Sequence, residues 1–248
     1  MTMKRFFIEH SEIIKDSPVI TGQEAHHIAK VFRLKPKDHI LLIDGSGMEY
    51  EAEITASSKD TVTVSIIKEY SPATESILKI TVGQGYLKDK KMDMLIRHLT
   101  EIGIAKWLPV TSEYSVPQPD SQRITSKSKR WDMIAKEAVK QCRRTRVPEI
   151  LPPVLFHQAV EKTSGADLKI IFYENETVSL AKTMSALNQI PSKIFILFGP
   201  EGGFSNKEIA LAKSNGFIIA SLGPRILRAE TASIAACTLI QHLFGDMC

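Results

Sequence analysis

The chain has 248 residues, 43% hydrophobic and 24% charged, a composition that excludes extensive disorder and fits a globular protein. No apolar run approaches the roughly 20 residues that span a bilayer, and the first ten residues lack the apolar stretch of a signal peptide, so we expect a cytoplasmic protein with no membrane partner. The net charge of +4 does not by itself indicate a nucleic-acid partner. Cys142, Cys237 and Cys248 form no C-x-x-C pair, which argues against a disulfide framework or a zinc site.

Short strands dominate the first seventy residues. β-Branched and alternating patterns between turn residues predict strands at His39–Ile43, Glu49–Ala56 and Thr61–Ile67. One helix is predicted near Gly22, with Ala25, Ile28, Ala29 and Phe32 on one side. We therefore predict a small β-barrel or sandwich over residues 1–72, with a linker at Glu69–Ser76.

A different rhythm begins at residue 77. Apolar runs predict strands at Ile77–Tyr86, Lys106–Val110, Leu168–Tyr173, Ile194–Phe198 and Phe217–Leu222. Apolar residues at helical spacing predict helices over 92–102, 131–142 and 230–244, with Gly103 as the C-cap of the first. A further helix is expected from Asn206, ended by Gly216. Continuous apolar strands that alternate with helices are typical of a parallel sheet covered on both faces, here an α/β domain over residues 73–248.

Positive charge is concentrated in one segment. Residues 120–147 hold nine Lys and Arg against three Asp and Glu, whereas residues 1–72 hold nine against eleven. On the helix that ends near Cys142, we expect Lys136, Lys140 and Arg143 to point away from the apolar stripe. This face is either a solvated helix surface or a phosphate-binding surface.

The first unusual loop is Phe198–Ser205, which holds three glycines between a strand and a helix. Ser205 and Glu208 have the spacing of a capping box, which predicts a helix beginning at Asn206. The loop matches neither a Walker A motif nor G-x-G-x-x-G. It is either a tight turn or a loop whose backbone approaches a ligand closely.

The second loop is Leu222–Ala232, which places Arg225, Arg228 and Glu230 at the beginning of a helix of small residues. Glu230 there is explained equally well by the helix dipole. Both loops follow strands of one α/β domain, and such sheets bind ligands at the carboxyl ends of their strands. A shared small-molecule pocket is therefore expected.

The sequences GPEGGFS-x-x-E and LGPRILRAETA resemble the C-terminal signature of the RsmE family of bacterial ribosomal RNA methyltransferases, in the SPOUT superfamily. The resemblance extends along nearly the whole chain, through His27–Asp38 and Asp44–Gly45 to elements near Lys88, Thr100 and Glu137. The chain departs from the family at His98, where Lys is expected, and at Tyr114, where relatives tend to carry Arg.

The resemblance implies a SPOUT-type parallel sheet with a C-terminal trefoil knot, preceded by a small PUA-like RNA-binding β-barrel. It implies a homodimer without a metal that uses S-adenosyl-L-methionine to methylate N3 of a specific uridine in 16S ribosomal RNA of the small subunit. The cofactor is then expected at Leu197, Phe198, Gly199, Pro200, Glu201, Gly202, Gly203, Leu222, Gly223, Ile226, Leu227, Arg228, Thr231 and Ala232.

Loss of the N3 proton leaves an anion, which a nearby arginine would stabilise. Arg228 is therefore the first candidate catalytic residue, and Glu230 the second, either as a base or as the group that orients Arg228. The residues expected to bind RNA are Lys30, Arg33, Lys35, Lys88, Arg130, Lys136, Lys140, Arg143 and Arg144.

Three other functions remain open at this stage. One is a methyltransferase of the same superfamily with a different RNA target, and another is a non-catalytic RNA-binding factor for ribosome assembly. The third, a nucleotide-binding enzyme, is disfavoured because the glycine loop lacks the lysine of a phosphate-binding loop. Trp131 and Cys142 lie on an apolar stripe, which favours packing over chemistry.

Overall fold

A computed structural model describes residues 3–88, 90–116, 121–163, 165–176, 178–185, 187 and 189–247, without the side chains of residues 121 and 122. Cys248 lies outside the described residues. The chain divides into two compact units, one of residues 1–75 with 136–147 and one of residues 76–135 with 148–248.

The first unit is built on a mixed sheet of five strands in the order β1-β3-β4-β5-β2. Strand β1 pairs with β3 in parallel and the other pairings are antiparallel. The strands are β1 Arg5–Phe7, β2 Val19–Thr21, β3 His39–Ile43, β4 Glu49–Ser57 and β5 Thr61–Tyr70. The three predicted strands are thus confirmed, and a buried apolar cluster that includes Leu42, Ile54 and Val64 forms the core.

Two short helices, α1 His10–Ile13 and α2 Gly22–His26, accompany this sheet. Helix α2 continues directly into a π-helical turn at His27–Val31. Ala25 and Ile28 are fully buried, as the spacing predicts. Phe32 is 42% exposed, but its ring packs edge-on against the buried Phe6 at 5.8 Å, in the same core as Ala25 and Ile28.

The second unit is built on seven strands in the order β12-β10-β11-β6-β7-β8, with β9 also pairing with β7. Every pairing is parallel, which confirms the predicted parallel sheet. The strands are β6 Lys79–Gly85, β7 Lys106–Thr111, β8 Glu149–Ile150, β9 Val154–Leu155, β10 Leu168–Phe172, β11 Lys193–Phe198 and β12 Ile218–Ala220.

The helices of the second unit include the four that the sequence predicts. They are α3 Lys91–Ile102, α4 Ser121–Cys142, α5 Phe156–Glu161, α6 Leu180–Ser185, α7 Asn206–Ser214 and α8 Ala229–Phe244. The last residues of α4 belong to the first unit. Gly103 ends α3 in the left-handed conformation, with φ 99°, as predicted. Helices α5 and α6 are too short for a spacing pattern to reveal them.

The continuously apolar sequence of strand β11 is explained by its burial on both faces of the sheet. Ile194–Phe198 are all buried, although successive side chains point to opposite faces, so both faces of the sheet are covered. On one face Phe195 and Leu197 pack in a cluster with Phe156 of α5 and Ala212 of α7. Helix α8 also packs against β11, and α3 packs against α8.

Two buried polar side chains fasten α8. Ser233 Oγ donates to Gln84 Oε1 of β6 at 2.7 Å. Gln241 Nε2 donates to the Ile102 carbonyl at 3.1 Å, and its Oε1 accepts from Ser76 Oγ at 2.8 Å. Each contact joins α8 to a distant part of the chain, so the position of the helix is set by hydrogen bonds as well as by packing.

Within the described ranges, no helix is both long and apolar enough to span a membrane. The trefoil knot and the domain boundary at residue 72 stay predictions.

Candidate functional site

A cavity of about 550 Å3 lies where β10, β11 and β12 end. The carboxyl ends of parallel strands meet at one edge of the sheet, and these three strands are neighbours there. The lining residues come from both unusual loops, from the residues after β10 and from the beginning of α3. They are Lys91, Phe172, Tyr173, Glu174, Phe198, Gly199, Pro200, Glu201, Gly202, Gly203, Phe204, Ala220, Ser221, Leu222, Gly223, Arg225, Ile226, Leu227, Arg228, Ala229, Glu230 and Ala232.

The glycine loop, residues 199–204, is packed tightly against its surroundings. A Cβ atom at Gly202 would lie 2.9 Å from Tyr114 Cβ, and one at Gly85 below the loop would lie 2.5 Å from the Pro200 nitrogen. Gly203 has φ 71°, which side chains rarely tolerate. The two interpretations of this loop are compatible, because its glycines permit close protein packing while its backbone lines the cavity.

Helix α7 begins directly after the glycine loop, and its predicted capping box is confirmed. Ser205 Oγ accepts from the Glu208 backbone N–H at 3.3 Å, and Glu208 Oε2 accepts from the Ser205 N–H at 2.9 Å. The other oxygen of Glu208 accepts from the Glu113 N–H at 2.9 Å. One buried carboxylate thus fixes the exit of the loop to the segment that carries Tyr114.

The arginine loop, residues 221–228, is open. Gly223 has φ 121°, and a Cβ atom there would meet nothing within 4 Å. Arg225, Ile226 and Arg228 are exposed, Ile226 to 83%. Ser221 Oγ closes the start of the loop through hydrogen bonds with the backbone of Gly223 at 3.1 and 3.2 Å. The loop therefore offers space beside its backbone.

Three charged residues meet where the two loops approach α3. Lys91 Nζ lies 3.0 Å from Glu201 Oε1 and 3.6 Å from Glu230 Oε2, and Glu201 also accepts from the Lys88 N–H at 3.1 Å. Burial acts to raise the pKa of Glu201, but the hydrogen bonds from Lys88 and Lys91 outweigh it and lower that pKa. The hydrogen bond to Glu201 is the main cause of a raised pKa for Lys91.

Glu230 is the buried member of this group, 9% exposed. Its Oε2 atom accepts no hydrogen bond within the described part of the chain, since the distance to Lys91 is too long for one. A buried carboxylate oxygen without a donor is unusual in a folded protein and is commonly explained by a bound group.

Gln84 connects the glycine loop with α8. Its Nε2 donates to the Gly199 carbonyl at 3.0 Å and the Gly85 carbonyl at 3.1 Å, while its Oε1 accepts from Ser233. This fully buried amide fixes the wall of the cavity.

The cavity meets the requirements of S-adenosylmethionine, the cofactor expected from the sequence. Its volume lies in the usual range for small-molecule sites, roughly 300–1000 Å3. The stacked rings of Phe172 and Phe198, 5.2 Å apart, give an apolar wall, and the open side of Gly223 gives space beside the backbone. Carboxylates and arginines on the lining suit a ligand that carries both signs of charge.

The predicted cofactor residues all line this cavity except Leu197 and Thr231. Leu197 is fully buried in the core, and Thr231 lies on the exposed side of α8. Their assignment as cofactor residues stays a prediction, as does the assignment of the others. Lys91 and the pair Tyr173–Glu174 are lining residues that the sequence analysis missed, although they follow β6 and β10 and the strand-end rule applies to them equally.

The residues predicted to bind RNA differ in exposure. Lys30, Arg33, Lys35, Lys88, Arg130 and Arg143 are exposed, and Lys136 is half-buried with its Nζ 6.0 Å from the Phe7 ring. The expectation that Lys140 faces solvent is wrong, because its ammonium pairs with Glu24 at 2.6 Å and with Glu137 at 2.7 Å. Arg144 is buried against Glu75 at 2.8 Å. These two cations are held by carboxylates of their own unit.

No group of three or more His, Cys, Asp or Glu side chains in the described ranges is arranged to hold a metal ion. Cys237 is buried in α8, and burial raises the pKa of its thiol, which favours the packing role of an inert cysteine.

Comparisons with known proteins show the family to which the chain belongs. The RNA methyltransferase domain family matches residues 74–241, and the RNA methyltransferase PUA domain family matches residues 20–67. The ribosomal RNA small subunit methyltransferase E of Bacillus subtilis is 32% identical, over 97% of this chain and 96% of its own length.

Two solved structures share the fold over the full chain. A methyltransferase from Legionella pneumophila in complex with the cofactor SAM is 30% identical, with a TM-score of 0.91 over 99% of this chain and 100% of that one. The ribosomal RNA small subunit methyltransferase E of Neisseria gonorrhoeae, bound to S-adenosyl methionine, is 30% identical, with a TM-score of 0.90 over all of both chains. The chain belongs to the family of ribosomal RNA small subunit methyltransferase E.

Proposed function

We propose that this protein transfers a methyl group from S-adenosylmethionine to N3 of one uridine in 16S ribosomal RNA of the small subunit. The observation that carries the proposal is the cavity between the glycine loop and the arginine loop, with Arg228 exposed at its rim and the buried Glu230 on its wall. A cytoplasmic location and a ribosomal substrate belong to the same proposal.

The two loops would hold the cofactor. The backbone of residues 199–203 and the open side of Gly223 offer N–H and C=O groups at close range, and Phe172 with Phe198 gives an apolar surface. When bound, S-adenosylmethionine supplies an electrophilic methyl group at the reacting nitrogen. The role of the protein is then to place that nitrogen and to remove its proton.

Arg228 and Glu230 are suited to these tasks. The N3–H of uracil is a weak acid, so the reaction needs a group that favours the anion. The Arg228 guanidinium, placed at O2 or O4 of the base, would stabilise that charge. Glu230 has a carboxylate oxygen without a hydrogen bond from the described residues, and this oxygen would accept the N3 proton. N3 lies on the Watson–Crick edge, so the target base must be unpaired or extruded.

Exposed cations supply a surface for phosphates. Lys30, Arg33 and Lys35 lie on or just after the π-helical turn of the first unit, and Arg143 is exposed at the end of α4. A plot of the logarithm of the RNA-binding constant against the logarithm of the salt concentration should have a negative slope. Each phosphate contact should contribute roughly −0.7 to −0.9 to that slope. Charge reversal at Lys30 and Arg33 should therefore weaken RNA binding, and cofactor affinity should stay within about twofold.

A homodimer is part of the proposal. Helix α8 exposes Leu239 to 44% and Leu243 to 46% one turn apart, and Ile226 projects from the arginine loop. The two neighbouring leucines on the surface of α8 favour association with a second copy. Light scattering during gel filtration should give twice the monomer mass, and Leu239→Glu with Leu243→Glu should give the monomer mass.

The experiment that tests the function is methyl transfer from labelled S-adenosylmethionine to small ribosomal subunits that lack the modification, followed by digestion to nucleosides. Labelled 3-methyluridine is expected from the wild type and should be lost in Arg228→Ala. A different labelled nucleoside would show that the enzyme is a methyltransferase with another target atom or base. Cofactor binding without transfer to any RNA would favour a non-catalytic assembly factor.

A further inference from the structure

Lys91 is the first residue of α3 and lies on the wall of the cavity, on neither of the two loops. Its ammonium contacts Glu201 of the glycine loop at 3.0 Å and Glu230 of α8 at 3.6 Å. A single side chain thus lies between the carboxylates of both walls.

The charges that line the cavity make this position unusual. The acidic residues are Glu174, Glu201 and Glu230, and the basic ones are Lys91, Arg225 and Arg228. Among the residues that the structure describes, Lys91 forms ion pairs with two of these carboxylates, and neither arginine forms one. The arginines are exposed at the rim instead.

Removal of Lys91 would leave Glu201 and Glu230 close together without a cation between them. Arg228 is the cation nearest to Glu230 along the chain, and both residues line the same cavity. A partly buried carboxylate attracts such a guanidinium strongly, because the effective dielectric constant there is low. Arg228 would then pair with Glu230 rather than remain available to a uracil oxygen.

We infer that Lys91 is a positioning residue for methyl transfer, which holds Glu230 and Glu201 in place and so keeps Arg228 available for the target base. This inference rests on the proposed function for the roles of Arg228 and Glu230. A merely structural role, in which Lys91 only fastens α3 to the loops, would change stability and leave the state of Arg228 unchanged.

The test compares Lys91→Met, Lys91→Arg and the control Lys90→Met, a change at the exposed neighbour. Lys91→Met should lower kcat by about 10- to 100-fold, as expected for misplaced catalytic groups, with KM for the small subunit within about twofold. Lys91→Arg should recover most of the rate, and Lys90→Met should match the wild type. Equal kcat in Lys91→Met and Lys90→Met would overturn the inference.

A double-mutant cycle with Glu230→Gln tests whether Lys91 acts through Glu230. In the Glu230→Gln background, Lys91→Met should cost less than about threefold in kcat, because its target is already removed. If the loss of kcat in the double variant equals the product of the losses in Lys91→Met and Glu230→Gln, the inference is contradicted.

A second readout needs neither activity nor cofactor. In a 1H–15N NMR correlation spectrum, the Arg228 Nε–Hε signal is assigned by its loss in Arg228→Lys. It should shift in Lys91→Met as the guanidinium pairs with Glu230. It should stay in place in Lys90→Met, in Lys91→Arg and in the double variant Lys91→Met with Glu230→Gln. An unshifted signal in folded Lys91→Met would overturn the inference even where methyl transfer is observed. Absence of transfer by the wild type would refute the proposed function and leave this measurement decisive.

If Lys91→Met does not fold, Lys91→Gln provides the same comparisons with a side chain that keeps one donor for Glu201. The same kinetic loss and the same signal shift are expected, at a smaller size.

Discussion

The two loops of the site are built in opposite ways. The glycine loop is fixed by three sets of contacts: Gln84 binds its backbone, Tyr114 lies against Gly202, and a capping box closes its exit. The arginine loop is held at its start by Ser221, and Arg228, the N-cap residue of α8, makes no side-chain capping hydrogen bond. The first loop therefore supplies a fixed wall, and the second leaves exposed groups where a substrate can reach them.

The contacts that stabilise the site therefore lie mainly at the glycine loop, whereas the groups available to a substrate lie mainly at the arginine loop. Contacts that order a loop also occupy its donors and acceptors, so a loop that must bind something else gives up part of its own stabilisation. Arg228 stands at the N-cap of α8, where Ser, Thr, Asp or Asn would stabilise the helix better. The residue present there is suboptimal for the helix, which is expected where function decides the residue.

The largest effect is expected at Arg228. Arg228→Ser should lower methyl transfer about 10²–10³-fold, through loss of the group that we propose stabilises the uracil anion. The same change should leave the protein about 0.5–1 kcal/mol more stable than Arg228→Ala, because serine caps α8. Turnover comes from the labelled-methyl assay and stability from urea denaturation. A rate within about threefold of wild type in the folded variant would refute the role of Arg228.

The fixed wall is tested next at Gly85. Gly85→Ala should destabilise the protein by about 1–3 kcal/mol, because the new Cβ atom would lie 2.5 Å from the Pro200 backbone nitrogen and must displace it. Cofactor affinity, measured by calorimetry, should fall with it. The matched change Gly223→Ala meets no atom within 4 Å, so its cost should be that of the backbone conformation alone, about 1–2 kcal/mol. Equal losses of stability and of cofactor affinity in Gly85→Ala and Gly223→Ala would contradict the contrast between the loops.

Ser205 gives a smaller effect on the fixed side. Ser205→Ala removes one half of the capping box of α7 and should cost about 1 kcal/mol in the free energy of unfolding. Ser205→Thr keeps the acceptor and should recover most of that loss. Urea denaturation measures both, and an unchanged stability in Ser205→Ala would show that Glu208 holds the loop without its partner.

Tyr86, just after β6, gives the smallest effect at neutral pH. Burial raises its pKa to about 12, and its hydroxyl finds no hydrogen-bond partner among the described residues. A raised pKa means that the folded protein keeps this proton more tightly than the unfolded chain. Its contribution to stability is therefore complete below about pH 10, the unfolded value, and is lost as pH rises toward 12.

The matched change is Tyr86→Phe, which removes a buried hydroxyl that has no hydrogen-bond partner among the described residues. Stability at pH 7 should be unchanged or slightly higher. The part of the alkaline destabilisation that comes from this residue should disappear. Urea denaturation between pH 7 and 11 measures both effects, and a loss of stability at pH 7 would mean that the hydroxyl has a partner in solution.

The sequence predicted most of the site because strand ends and glycine patterns are local signals. Phe198–Phe204 and most residues of Leu222–Ala232 line the cavity as expected, and the capping box at Ser205 needed only its four residues. Lys91 escaped because its importance comes from two carboxylates more than a hundred residues away, which no local pattern reveals. Lys140 misled for the same reason, since its partner Glu24 is distant in the chain.

Ser233 and Gln241 have a consequence for the alignment of α8 along its own axis. Small and apolar side chains repeat along this helix, and a shift by one turn would place one alanine where another had been. Such a slide would move Arg228 and Glu230 by about 5.4 Å, the pitch of an α-helix. Only one alignment satisfies both hydrogen bonds, to Gln84 near the cavity and to Ile102 at the far end. Two neutral side chains thus decide which residues the helix presents at the rim, although neither is on the cavity wall.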